Sequence, residues 1–242
     1  MWTPTLRKSE LSKGDYLTLP VSPRRATEVL VVLTIMVIAM GGMIRIYDAG
    51  ESCPDWPTCF GTFGFDISEE EQGEWWDENP DEADSRGSGH RYTSFQIFTE
   101  WFHRLLAGAL VGPLVIVNWF LVRKEIWNSP RVRGVSSLTL ALILWQGAIG
   151  WLTVKFDNEN WSVAIHLGSA LAFLISLIWL WIEIRRDEED LPNWINFDPL
   201  VGVKWRKWIG VLSFSTLITL FSGVYVSTTP GANYGCGVGG ML

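Results

Sequence analysis

Five apolar runs, at 27–46, 97–122, 135–154, 163–184 and 208–226, decide what this chain can fold into. Each is long enough to cross the hydrocarbon core of a bilayer, which spans roughly 30 Å and takes about 20 helical residues. In that solvent the backbone must satisfy its own hydrogen bonds, so an apolar run of this length has to be a helix. Charge is concentrated in the stretches between the runs. The expectation is an all-α fold, a polytopic bundle of transmembrane helices in a cell membrane.

Lys and Arg stay on the cytoplasmic side more readily than they cross, and their placement orients the bundle. Arg7, Lys8, Lys13, Arg24 and Arg25 precede run one; Arg123, Lys124, Arg131 and Arg133 separate runs two and three; Arg185, Arg186, Lys204, Arg206 and Lys207 separate four and five. All fall on one side of a five-pass chain. The N-terminus, residues 1–26, is therefore read as cytoplasmic, with 27–184 a four-helix unit, 185–207 a cytoplasmic linker and 208–242 a fifth span with an outer tail. Run one is too long for a signal-peptide core and no small-x-small site follows it, so it is read as a retained helix.

The net charge of -7 is local. Asp66, Glu69, Glu70, Glu71, Glu74, Asp77, Glu78, Asp81, Glu82 and Asp84 crowd the external loop 60–96, against Arg86 and Arg91. Such a loop is expected to be solvated and mobile, with docking of a basic partner such as a cytochrome as the alternative. No nucleic-acid partner is expected. Cys53, Cys59 and Cys236 all fall outside, where disulfides persist. Within "SCPDWPTCFG", Pro54, Pro57 and Gly61 favour a tight loop that can bring Cys53 and Cys59 together. A structural staple and a redox-active pair are both open. Two thiols without a nearby Cys or His leave a zinc set incomplete.

The stretch "TEWFHRLLAG" carries Glu100, His103 and Arg104 into run two. Of the three histidines, His90 belongs to the acidic loop and is expected to be solvated, whereas His103 and His166 lie in runs two and four. Both runs pass from outside to inside, and each histidine follows its helix start by one to two turns, so a rise of about 1.5 Å per residue gives them similar depths. Rings facing each other there suit a haem, one nitrogen on each side of the iron. The alternative is that each histidine bonds a neighbouring helix. Glu100, three residues before His103, shares its face. It fits a proton acceptor and fits equally a helix N-terminal acid beside the dipole. Arg45 and Arg104 lie where cations are disfavoured; they suit haem propionates, or they snorkel to lipid phosphate. Gly41, Gly42, Gly108, Gly112, Gly147 and Gly150 are expected to let helices pack closely, and Gln146 and Thr153 to face the cavity or bridge helices.

"GGMIRIYDAGESCPDWPTCFG", "TEWFHRLLAG", "WQGAIGWLTV" and "AIHLGSALAF", in this order on successive runs, resemble the N-terminal half of the haem A synthase family. The resemblance covers runs one to four. It implies an eight-helix protein of two four-helix repeats, each with a histidine pair, one holding a haem b cofactor and the other the substrate haem O. The implied reaction oxidises a porphyrin methyl group through an alcohol to a formyl, with oxygen from water. The implied roles fall to Glu100 in catalysis, to Cys53 and Cys59 in the reaction or in haem transfer, and to His103 and His166 as axial ligands of the haem iron. Haem O synthase, terminal oxidase assembly factors and an electron acceptor are the implied partners.

One departure is the stop after run five. The tail "FSGVYVSTTPGANYGCGVGG" echoes the glycines and cysteine that follow run one, as if a second repeat began. The expectation is a piece of a longer protein whose C-terminal half is missing, or else a short form that pairs with a second copy. With one histidine pair, a single subunit is expected to hold cofactor or substrate in this way, not both. Two competing readings remain: a bis-histidine electron carrier of cytochrome b type, which needs neither Glu100 nor the cysteines, and a membrane thiol oxidoreductase, which needs the cysteines but not the histidines.

Overall fold

Each apolar run folds as a helix, and three of the starts carry a side-chain cap, from Ser22, Thr93 and Ser129. The computed structural model describes residues 21–84, 86–124, 129–195 and 199–228. Helix α1 (Pro23–Ile46) begins where Ser22 Oγ accepts from the Arg25 N–H, with proline in the first turn, where its missing N–H costs nothing. Five helical segments are long and apolar enough to cross a membrane: Pro23–Ile46, Ser94–Lys124, Pro130–Lys155, Asn160–Asp187 and Val201–Val226. Among the described residues there is no strand, only an isolated bridge between Cys59 and Thr62.

The second segment is not a continuous α-helix. Helix α2 (Glu69–Glu78) lies in the loop 60–96, and α3 (Ser94–Arg104) carries the Glu100–Arg104 stretch. A π-helical stretch, Leu105–Val111, then leads into α4 (Gly112–Lys124), and the Gly112 N–H donates to the Ala107 carbonyl five residues back. Pro113 has no N–H for the Ala109 carbonyl, so the regular register cannot run through this point. The wider turn therefore follows directly on His103 and Arg104.

Helix α5 (Pro130–Lys155) repeats the Ser-Pro start, Ser129 Oγ accepting from the Val132 N–H, and α6 (Asn160–Asp187) returns beside it. Helix α1 packs on α6 and α4, and α4 on α5, which closes a four-helix bundle. Leu30, Val111, Val115, Phe173 and Leu177 fill its middle, and Val122, Val132, Val135, Leu180 and Ile184 one end. At that end Arg24 bonds Glu188 at 3.2 Å and Asp190 at 2.7 Å, and the Trp181 indole donates to Glu28 at 3.0 Å. Helix α7 (Pro199–Thr228) begins before the apolar run 208–226, takes in Lys204, Arg206 and Lys207, and packs chiefly on α6, where Phe221 meets Gly168. Residues 1–20 and the tail with Cys236 lie outside the described residues.

The loop 60–96 differs from its expected solvated, mobile state. It folds into a cap with a core of its own: Cys53, Cys59, Phe60, Ile67, Trp76, Tyr92 and Ile97. Ser68 and Glu71 form a capping box that starts α2, and Thr93 with Gln96 forms another for α3. Buried Gln72 binds the strand-like return of the loop twice, donating to the Tyr92 carbonyl at 3.0 Å and accepting from the Tyr92 N–H at 2.8 Å. The carboxylates of α2 occupy its exposed face. His90 packs edge-on to Tyr92, with ring centroids 4.7 Å apart. The acidic count hid the aromatic residues, and those supply the buried area that orders the segment.

Candidate functional site

His103 and His166 project from α3 and α6 toward glycines of neighbouring helices. The His103 ring lies over Gly41 of α1, where a β-carbon would stand 3.4 Å from Cε1, and the His166 ring over Gly150 of α5, at 3.1 Å. The Val37 carbonyl, one turn before Gly41, lies against the His103 ring, and the two imidazoles are within electrostatic reach of each other. Nδ1 of each ring is buried without a normal hydrogen bond, while each residue keeps some accessible surface. The close-packing role expected of six glycines is thus filled differently. A β-carbon at Gly42, Gly108 or Gly147 would meet nothing within 4 Å, and at Gly112 only its own helix backbone. Gly150 is needed to seat its ring, whereas Gly41 stands at ordinary contact distance from the other.

Glu100 is buried in the second half of α3, away from the first turn, so the helix N-terminus does not explain it. Its Oε2 accepts from Ser52 Oγ at 3.0 Å and from the Cys53 N–H at 2.9 Å, and its Oε1 pairs with Arg104 at 2.6 Å. Arg104 spends its other terminal N–H groups on the same loop, donating to the carbonyls of Cys53 at 2.6 Å, Thr58 at 3.1 Å and Asp55. The propionate role expected of Arg104 therefore finds both its terminal nitrogens already engaged. Arg45 stands in the last turn of α1, facing Asp48, Glu51 and Arg86. Cys53 and Cys59 are joined as a disulfide, and both are fully buried in the cap core.

Three further residues shape the site and were not singled out from the sequence. Ser52 ties the loop to α3 through Glu100 and the Gln96 carbonyl, Asp55 accepts from Thr58 Oγ1 and the Gly61 N–H, and Asn158 donates to the Gly50 carbonyl at 2.8 Å. Asp55 between two prolines is the one readable signal, since Asp in such a turn bonds its own loop. Gln146 bridges helices, Nε2 donating to the His166 carbonyl at 3.1 Å, whereas Thr153 bonds back within α5. A cleft of about 520 Å³ opens beside the loop, between Trp56, Trp75 and Asp84 on one side and Trp151, Lys155 and Asp157 on the other.

The residues present fit a haem. Two imidazoles come from different helices, each with a buried Nδ1 and each lying in a cradle that a β-carbon would fill. A model of the cytochrome oxidase assembly protein family, COX15-CtaA, matches residues 24–235. The chain is 33% identical over 184 residues to the heme A synthase of Shewanella oneidensis, covering 75% of this chain and 52% of that protein. It is 27% identical over 229 residues to the heme A synthase of Roseobacter denitrificans, covering 86% and 56%. A heme A synthase-mitochondrial ferredoxin fusion protein of Schizosaccharomyces pombe is 26% identical over 167 residues, covering 61% and 26%. The chain spans about half the length of the two bacterial relatives. No solved structure matches.

Proposed function

Because this chain belongs to the COX15-CtaA family of cytochrome oxidase assembly proteins, we propose that it acts as a haem A synthase, in which His103 and His166 would hold one haem. Bound there, haem supplies either the redox cofactor, haem b, or the substrate, haem O, whose methyl group goes to a formyl with oxygen from water as four electrons and four protons leave. A one-electron carrier is the acceptor class we favour, in keeping with the ferredoxin fused to one relative. The observation that carries this reading is the pair of imidazoles, each seated on a glycine of a neighbouring helix.

The chain's own residues divide the work. Gly41 and Gly150 let the rings approach α1 and α5. Ser52 and the Cys53 N–H hold Oε2 of Glu100, so Oε1, shared with Arg104, is the oxygen that takes a proton during the oxidation. Arg104 acts as a positioning residue, fixing the loop over the site. Arg45 is kept as the cationic partner of a propionate. The buried disulfide holds the cap closed. Following the basic residues, we place the N-terminus in the cytoplasm and the cap on the outer face.

Co-expression with a haem O supply tests the proposal. Glu100→Gln keeps the side-chain length and an acceptor for Ser52, so this variant should still bind haem and should make no haem A in extracted pigment. Unchanged haem A output would favour an electron carrier of cytochrome b type. His103→Ala or His166→Ala should abolish the low-spin six-coordinate spectrum, and its retention in both would remove the ligand pair.

A further inference from the structure

Gln146 occupies on α5 the register that Val37 occupies on α1, four residues before the glycine that lies against the histidine ring. On α1, a carbonyl at position 37 and a glycine at position 41 face the His103 ring. On α5, Gln146 and Gly150 have the same four-residue spacing, and both face His166: Gly150 touches the ring, and Gln146 Nε2 donates to the His166 carbonyl at 3.1 Å. That bond fixes which way the amide points. Its other end, Oε1, is buried without a donor, and Nδ1 of His166 is buried without an acceptor. Two unsatisfied atoms of opposite kind thus lie on residues already bonded to each other. Leaving either atom so is costly, which is an incentive to pair.

We propose that Gln146 is the positioning residue of His166, its Oε1 serving as the acceptor for the Nδ1 proton once the ring turns its Nε2 to a haem iron. This rests on the bis-histidine reading above. An acceptor on Nδ1 fixes the tautomer that leaves Nε2 free, and makes the imidazole a stronger donor to the metal. Near the His103 ring the corresponding position on α1 offers a backbone carbonyl, that of Val37, which no substitution removes.

The test uses the full chain, purified with haem, and reads the midpoint potential and the affinity for haem. Gln146→Met fills the space without an acceptor; its potential should shift positive and its haem affinity should fall about 10-fold or more. Gln146→Glu supplies a stronger acceptor at the same length, and its potential should shift negative while haem is retained. If Gln146→Met does not accumulate, Gln146→Glu decides alone. Potentials equal to that of the unaltered protein in the variants obtained overturn the proposal. The parent reading fails separately, through His166→Ala, whose spectrum would stay low-spin and six-coordinate if His166 were no ligand.

Discussion

The backbone of Gly150 comes so close to His166 that a β-carbon there would stand 3.1 Å from Cε1, nearer than side chains ordinarily tolerate. The equivalent distance from Gly41 to the His103 ring is 3.4 Å, an ordinary contact. Alanine at either position favours the helix itself by about 0.5–1 kcal/mol. Stability and haem binding should therefore move in opposite directions. Gly150→Ala is expected to displace the His166 ring and lose most of the low-spin spectrum while the apo bundle melts no lower. Gly41→Ala should keep most of its haem. Equal retention in both variants, read from the visible spectrum, would mean that the Gly150 contact does not constrain the ring.

Much of this arrangement could be read from the chain. The apolar runs fixed the helices because hydrocarbon leaves the backbone no other choice, and Ser22-Pro23 and Ser129-Pro130 mark two of their starts. The π-helical turn after Arg104 was not readable, since Pro113 signals a break without saying how the register recovers. Nor was the order of the cap. Ten carboxylates suggest a solvated loop, but the six on α2 line its exposed face while Gln72 and Trp76 turn inward, a helical pattern too short to stand out. Position alone could not separate the roles of Glu100, because its partners, Ser52 and Cys53, come from a loop nearly fifty residues away.

Glu100 and Arg104 form a buried pair, and removing one partner strands the other's charge. Arg104→Ala should lower stability by about 3–5 kcal/mol. It should also release the carbonyls of Cys53, Asp55 and Thr58, so the loop would loosen before the bundle does. Hydrogen exchange over 52–60 should rise well above that of α5 and α6. Uniform exchange across the molecule would show instead that the arginine supports the whole bundle and not the loop.

The disulfide is shielded by the cap that it helps to hold. With both cysteines in the cap core, a mild water-soluble reductant should open the bond slowly in the intact protein. Trp76→Ala removes the largest buried side chain of that core, at a cost of about 3–5 kcal/mol. It should speed both reduction, followed by thiol labelling, and proteolysis within 60–96. Fast labelling of the unaltered protein would restore the redox-active reading of Cys53 and Cys59.

Asp157, in the turn between α5 and α6, gives that end of the bundle a pH dependence. Partial desolvation, then the neighbouring carboxylates of Asp84 and Glu159, hold its carboxyl above the usual aspartate range. The folded turn thus binds the proton more tightly than the unfolded chain does. Stability is unaffected below the ordinary aspartate value and declines as pH rises from there through the raised one. Asn removes the titration and suits the left-handed backbone at this position, where φ is 45°. Asp157→Asn should slow hydrogen exchange of the 156–159 turn near neutral pH, leave it unchanged in acid, and flatten its dependence between the two. The gain should be small, because the residue is exposed. A variant whose exchange tracks the unaltered protein at every pH would assign the effect to another carboxylate of the cap.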